Sequence, residues 1–206
     1  ICTTNTNNGK LNSGKSRQCS KDFAQSLLSG LQKDLTANFG KWATRELYDR
    51  NYSETRCPEV PSAIIETLSH QNFPDMVMAQ DPNVKFTIAR SLYKTILKFI
   101  SRQHDKSYVV TPLAPQHPYI KFVDEGMVEI AWDPQEDPTE PSAKPTSYIL
   151  YTATGNGDFD NGEPIKGNRI RVRMTADVQY SFKITAVNKG CLLYTSDAAD
   201  DRISVD

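Results

Sequence analysis

Early in the chain apolar residues return every fourth position: Phe23, Leu27, Leu31 and Leu35, with Ala24 and Leu28 beside them. That single stripe predicts an amphipathic helix over 17–38, with Ser16 or Ser20 to cap its start and Asn38-Phe39-Gly40 to end it. RELYDRNYSETR has enough alternation for a short strand, which Pro58 breaks. VPSAIIE shows no polar alternation, so it predicts a strand buried on both faces, as in a sheet covered by helices. A second helix is predicted over 81–103. Asp81 is its cap, Pro82 its first residue, and Val84, Ile88, Leu92, Ile96 and Ile100 its buried stripe. The order helix, strand, helix makes 1–104 an α/β domain, a mixed sheet with flanking helices.

The period then changes. Residues 105–117, containing TPLAPQHP, read as a proline-rich linker. Beyond it the apolar positions alternate: Val128, Ile130, Trp132; Ile149, Tyr151; Ile170, Val172, Met174; Tyr180, Phe182, Ile184, Ala186. Asn-Gly steps at 156–157 and 161–162 and KGN at 166–168 separate these runs, which predicts an all-β, immunoglobulin-like sandwich over 118–190. QEDPTEPSAKP reads as a long, mobile loop of the sandwich. Asp158–Glu163 reads as a hairpin turn, since its spacing fails the EF-hand pattern. Arg169, Arg171 and Arg173 alternate with the apolar row and so form a solvated strand face.

Trp132 in the second strand and the run VQYSFKITAVNKG, with Tyr180 at the tyrosine corner, resemble a fibronectin type III domain. The last residues, 191–206, fit neither domain. CLLYTSDAADD resembles the in-frame translation of a sequencing adapter, so this tail is expected to be non-native and the sandwich to lack its last strand.

Composition removes several classes of function. The 206 residues carry 24 Lys+Arg against 25 Asp+Glu, a net charge of -1, so no global field points to nucleic acid or an anionic membrane. No apolar run approaches the roughly 20 residues that span a bilayer. Cys2, Cys19, Cys57 and Cys191 have neither metal-type spacing nor the look of a disulfide framework, and are expected as free thiols. The chain opens on Ile1, and Ile1–Thr4 reads like the end of a strand, so an internal fragment of a longer protein is expected.

Two stretches carry candidate chemistry. Gly9–Ser16, GKLNSGKS, matches the phosphate-loop pattern, and VPSAIIE mimics a strand ending in the acid that would hold Mg²⁺. The context is poor, because ICTTNTNN supplies four plausible strand residues and then four polar ones where a buried strand is needed. The second stretch is CPEVPSAIIETLSHQNFPDM with the helix after it. Its proline-led apolar strand ending in Glu66, its loop from Thr67 to Asp75 and its Asp81-Pro82 helix resemble the C-terminal part of the zinc-dependent N-acetylmuramoyl-L-alanine amidases.

That resemblance covers about 1–103 and implies a bacterial cell-wall hydrolase of the envelope, periplasmic or secreted. Such an enzyme cleaves peptidoglycan between muramic acid and the stem peptide with zinc-activated water. It implies Glu66 as the catalytic carboxylate, which takes the water's proton and delivers it to the leaving nitrogen. The family's zinc ligands, two histidines and a glutamate, precede that carboxylate. No histidine precedes Glu66 here, so no metal ligand is assigned in this chain, Zn²⁺ is expected to be held upstream, and the chain alone is expected to be inactive. TLSHQNF departs from the family's commoner loop, and His70 within it is a candidate substrate contact or a polar loop residue. His104 and His117 are expected in solvent. Other surface glycans are a second partner class, through the sandwich. The alternative reading is a non-catalytic envelope glycan-binding or adhesion protein with a degenerate amidase fold; the third is the nucleotide hydrolase.

Overall fold

A computed structural model describes residues 1–190 and the backbone of a short strand, Arg202–Val205. The adapter-like CLLYTSDAADD, Cys191 with it, lies outside the described residues. The chain divides into two compact units, Ile1–Ser107 and Tyr108–Asp206.

In the first unit both predicted helices form. α1 spans Gln18–Phe39 and buries Ala24, Leu27, Leu31 and Leu35, as the stripe requires. Gly40 closes it at φ +82°, its amide donating to the Thr36 carbonyl at 3.1 Å, a left-handed position that glycine reaches without Cβ strain. Neither serine caps the start through a helix-bound side chain at the cap position, which Arg17 holds; Ser16 Oγ instead accepts from the Gln18 amide at 3.2 Å. The second predicted helix is Pro82–Gln103, with the Asp81 carboxylate accepting from the Asn83 amide at 2.8 Å. Two short helices precede it, α2 (Ser53–Arg56) and α3 (Phe73–Gln80), so Pro82–Gln103 is α4.

α1 and α4 pack through Leu31, Leu35 and Val84, with Ile88 and Leu92 against them. They approach closely at Gly30, where an added Cβ would lie 2.3 Å from Thr95 Oγ1. Beside this contact Lys94 Nζ meets Asp34 Oδ2 at 2.9 Å, both side chains 7% exposed. Phe23 and Phe99 pack with their ring centres 4.7 Å apart and their planes tilted by 43°. The predicted stripe is therefore half right. α4 turns Ser91, Lys94 and Thr95 toward the interior, and Ile96 and Ile100 are left exposed.

The expected sheet of this unit is reduced to three extended segments. Cys2 bridges in parallel to Asp49, with bonds of 3.0 Å to the Tyr48 carbonyl and 2.9 Å from the Arg50 amide. Ile1 and Ile64 exchange bonds of 2.8 and 2.9 Å. RELYDRNYSETR, expected as a strand, supplies only the bridge at Asp49 and then turns into α2. VPSAIIE, expected to be buried on both faces, is half-buried over 61–64 and exposed at Ile65 and Glu66. Its Ser62 bonds the α1 side, to Ser20 Oγ, while Ile64, Ile65 and Glu66 border open space.

Polar staples hold these segments. Arg17, only 4% exposed, donates to the carbonyls of Lys10, Thr55 and Arg56 at 3.0, 3.4 and 2.8 Å. Thr3 and Thr55 share a buried 2.6 Å hydroxyl bond, and Thr4 donates to the Asp49 carboxylate through both its amide and its hydroxyl.

The second unit is a sandwich of two antiparallel sheets. Its strands are β1 (Gln116–Asp124), β2 (Met127–Asp133), β3 (Ser147–Thr154), β4 (Glu163–Ile165), β5 (Arg169–Arg173), β6 (Tyr180–Val187) and β7 (Arg202–Val205). One sheet runs β1-β2-β5 and the other β4-β3-β6-β7. Between them lie Val128, Ile130, Trp132, Phe182, Ile184 and Ala186, all from the predicted alternating runs.

Three expectations are corrected. The sandwich does not lack its last strand, because β7 pairs with β6 from Tyr180↔Val205 to Lys183↔Arg202. β3 faces its other side inward: Tyr148 and Leu150 are buried opposite Ala186 and Ile184, and Ile149 and Tyr151 sit on the outer face. YILY is apolar on both faces, so only pairing with β6 decides its phase. QEDPTEPSAKP, read as a mobile loop, is tied down, with Asp137, Glu140 and Ala143 buried and Ser142 Oγ on Glu140 Oε1 at 2.7 Å.

The proline-rich stretch is also partly structural. Val110 is fully buried, and Asn188 Nδ2 donates to its carbonyl at 2.8 Å and to that of Ser142 at 3.1 Å. Tyr180 does make the corner: its hydroxyl accepts from the Thr175 amide at 3.2 Å. Among the described residues no helix is long and apolar enough to cross a membrane.

Candidate functional site

Glu66 and His70, the two candidate site residues, open onto the same groove of the first unit, about 580 Å³ in volume. Its floor is the apolar face of α1, through Leu27, Leu31 and Leu35, and Trp42 stands on its wall. Trp42 packs against the helical core, its ring 6.3 Å from that of Phe39 just before the Gly40 turn. The Ile1–Ile64 pairing fixes the segment that delivers Glu66 to the rim.

The loop after Glu66 is ordered from below. Asp75, in the first turn of α3, accepts from the Ser69 amide at 2.8 Å through Oδ2. Ser69 in turn accepts from the Gln71 and Asn72 amides, at 3.3 Å on Oγ and 3.1 Å on its carbonyl. Trp42 and Asp75 were not singled out in the sequence. An aromatic two residues past a helix-ending glycine is a visible signal for the first. Asp75 has none, since it closes the loop expected over Thr67 to Asp75, where no periodicity predicts the short helix whose first turn holds it.

Glu66 is exposed, which differs from the burial on both faces expected of the strand that it ends. His70 is exposed as well. The other two histidines do not line this groove: His104 ends α4 in solvent, and His117 Nδ1 of the sandwich sits 3.1 Å from Asp133 Oδ2. Among the described residues no three His, Cys, Asp or Glu side chains gather to hold a metal ion. These residues by themselves therefore do not supply the donor set that zinc requires.

Cys2, next in the chain to the groove's Ile1, is buried, and burial first and the Asp49 carboxylate second push its thiol upward from the ordinary 9.0. A thiol held protonated is a poor nucleophile.

The phosphate-loop match folds as a hairpin. Lys10 bridges Ser16, the Leu11 amide donates to the Lys15 carbonyl at 2.9 Å, and the Gly14 amide to that of Leu11 at 2.9 Å. The Glu59 carboxylate takes the Asn12 amide at 3.0 Å and the Asn12 side chain at 2.6 Å. A phosphate cradle needs those amides free and no anion among them.

No family model matches the chain. No curated protein matches it either. Among solved structures it is similar to a fibronectin type III domain of human collagen XX, at 12% identity over 41% of this chain and 85% of that one, TM-score 0.31. It is similar to the fn3 domain of human contactin 1, at 16% identity over 45% of this chain and 74% of that one, TM-score 0.34. It is also similar to the twitchin kinase region from C. elegans, at 23% identity over 38% of this chain and 14% of that one, TM-score 0.33. The fibronectin type III-like character of the second unit stands on its own strand order, three strands against four, and on the Tyr180 corner.

Proposed function

We propose that the chain is part of a bacterial cell-wall hydrolase that cleaves the amide between N-acetylmuramic acid and L-alanine, joined to a fibronectin type III accessory module. The observation that supports this most is the convergence of Glu66 and His70 on one groove with an aromatic wall at Trp42. A groove of that kind accommodates a sugar ring against the indole and a peptide along its length. Glu66 then receives the proton of the attacking water and returns it to the leaving nitrogen, and His70 contacts substrate. The zinc ligands are assigned to other residues of the parent protein, so these 206 residues alone release no stem peptide.

The test is Glu66→Gln in the parent enzyme. Loss of stem-peptide release from purified peptidoglycan with zinc content unchanged supports the assignment. Loss of zinc together with activity makes Glu66 a structural group or a ligand and overturns its proton-transfer role.

The exposure of Glu66 favours one second reading, a non-catalytic envelope protein that holds glycan in the same groove. Sedimentation of the parent protein with peptidoglycan, without any turnover, selects that reading over the hydrolase.

A further inference from the structure

The outer face of the β1-β2-β5 sheet concentrates positive charge in a way neither the core nor the strand pairing requires. Arg169, Arg171 and Arg173 occupy alternate positions of β5 and are all exposed. On one face of a strand such positions recur about every 6.8 Å. The register carries the row across the sheet: Lys121 of β1 lies opposite Glu129, which lies opposite Arg171, and Tyr119 lies opposite Ala131, which lies opposite Arg169. Ala131, in the middle strand, is 2% exposed, and Tyr119 opposite it is 49% exposed.

Among the described residues, the ion pair within this sheet that meets the row is at Arg171. Arg171 Nε lies 3.5 Å from Glu129 Oε2, whereas Arg169 faces Ala131 and Arg173 faces Met127. Three guanidinium groups in a row repel one another, so a folded sheet that presents them gains when an external anion lies along the row.

We propose that this face binds a linear polysaccharide bearing carboxylates, a uronate-type chain laid along β5. Guanidinium groups pair bidentately with carboxylates, and Tyr119 offers a ring for a sugar face. Glu129 and Asp133 share the face and accept hydrogen bonds from sugar hydroxyls. The same two carboxylates oppose a densely charged phosphate backbone. The proposal stands apart from the reading of the first unit, since it uses none of its residues.

The test uses the whole chain and affinity electrophoresis through polygalacturonate, with neutral dextran as the blank. Retardation by polygalacturonate and none by dextran is expected. Replacing Arg169, Arg171 and Arg173 together by Ser should weaken binding about tenfold or more and flatten the dependence of log affinity on log salt by about 2. Replacing Lys144, Lys166 and Lys189 by Ala, an equal charge removed from elsewhere on the sandwich, should leave retardation unchanged. Arg171→Lys alone should give a partial loss, because it keeps charge and removes the bidentate fork, and it guards against a triple variant that fails to fold. Equal retardation of wild type and the triple variant overturns the proposal, as does an equal loss in the lysine control. Tighter retention by single-stranded DNA or by anionic phospholipid vesicles than by polygalacturonate also overturns it.

Discussion

The two units dispose of their apolar side chains in opposite ways. The sandwich closes two sheets over Val128, Ile130, Trp132, Leu150 and Phe182, and among the described residues its large exposed apolar side chains are Tyr119, Phe122 and Val178. The helical unit gathers Leu31, Leu35 and Val84 into its core cluster and leaves Val60, Phe73, Val77, Phe86, Ile96 and Ile100 in solvent, Phe73 at 80%. What it lacks in buried area it makes up with directed polar contacts: Arg17 on three carbonyls, Asp34 on Lys94, Thr3 on Thr55. A sandwich can bury its two inner faces against each other. A pair of helices beside three short extended segments cannot.

The largest expected effect separates the units outright. Expressed alone, 108–206 should be monomeric and unfold cooperatively, whereas 1–107 should self-associate in size-exclusion chromatography and bind an apolar dye. A monomeric, dye-silent 1–107 breaks the contrast.

Within the intact chain, Trp132→Ala should cost the sandwich about 3–5 kcal/mol in denaturant unfolding, because the side chain is 1% exposed and leaves a cavity. Asp34→Ala should cost the helical unit about 3 kcal/mol by removing the carboxylate that faces the buried Lys94 ammonium. Each substitution should shift one transition and not the other; a shift of both at once means the units unfold as one.

A smaller effect sharpens the account of the sandwich edge. Asn188→Ala removes the donor to the Val110 and Ser142 carbonyls and should cost about 1–2 kcal/mol, seen as early amide exchange at 108–115. Unchanged exchange there would return that stretch to the status of a free linker.

The smallest effect is a difference in reactivity. Cys57 is exposed and should alkylate quickly at neutral pH, while Cys2 should alkylate only as the helical unit opens. Because burial raises the Cys2 thiol above 9.0, the folded state keeps a proton that the unfolded state releases. Its contribution to stability is therefore full below the ordinary thiol range and is lost as pH rises through and beyond it. Tyr148, raised by burial from 10.0, gives the sandwich the same sign at still higher pH.

Local patterns were legible wherever a single period held. The four-residue stripe and Gly40 located α1, Asp81-Pro82 located the start of α4, and Trp132 with the Tyr180 run located the sandwich core. Patterns failed where two faces were equally apolar, as in the β3 run YILY, or where polar contacts outweighed an apolar stripe, as at Ser91, Lys94 and Thr95 on α4. The candidate site was legible only as single residues. Glu66 and His70 could be named, but Trp42, Asp75 and the groove that joins them depend on contacts between segments far apart in the chain.

By itself, then, the sequence determined the two-part division, the helices and the alternating strands, because those follow from side-chain period and from glycine and proline geometry over a few neighbours. Only the tertiary structure decided the phase of β3, the pairing of β7, the burial of Val110 under Asn188, the capture of the Asn12 amide by Glu59 and the open position of Glu66. Each of these depends on which distant group arrives opposite, and a buried donor or acceptor takes whichever partner the packing brings within reach.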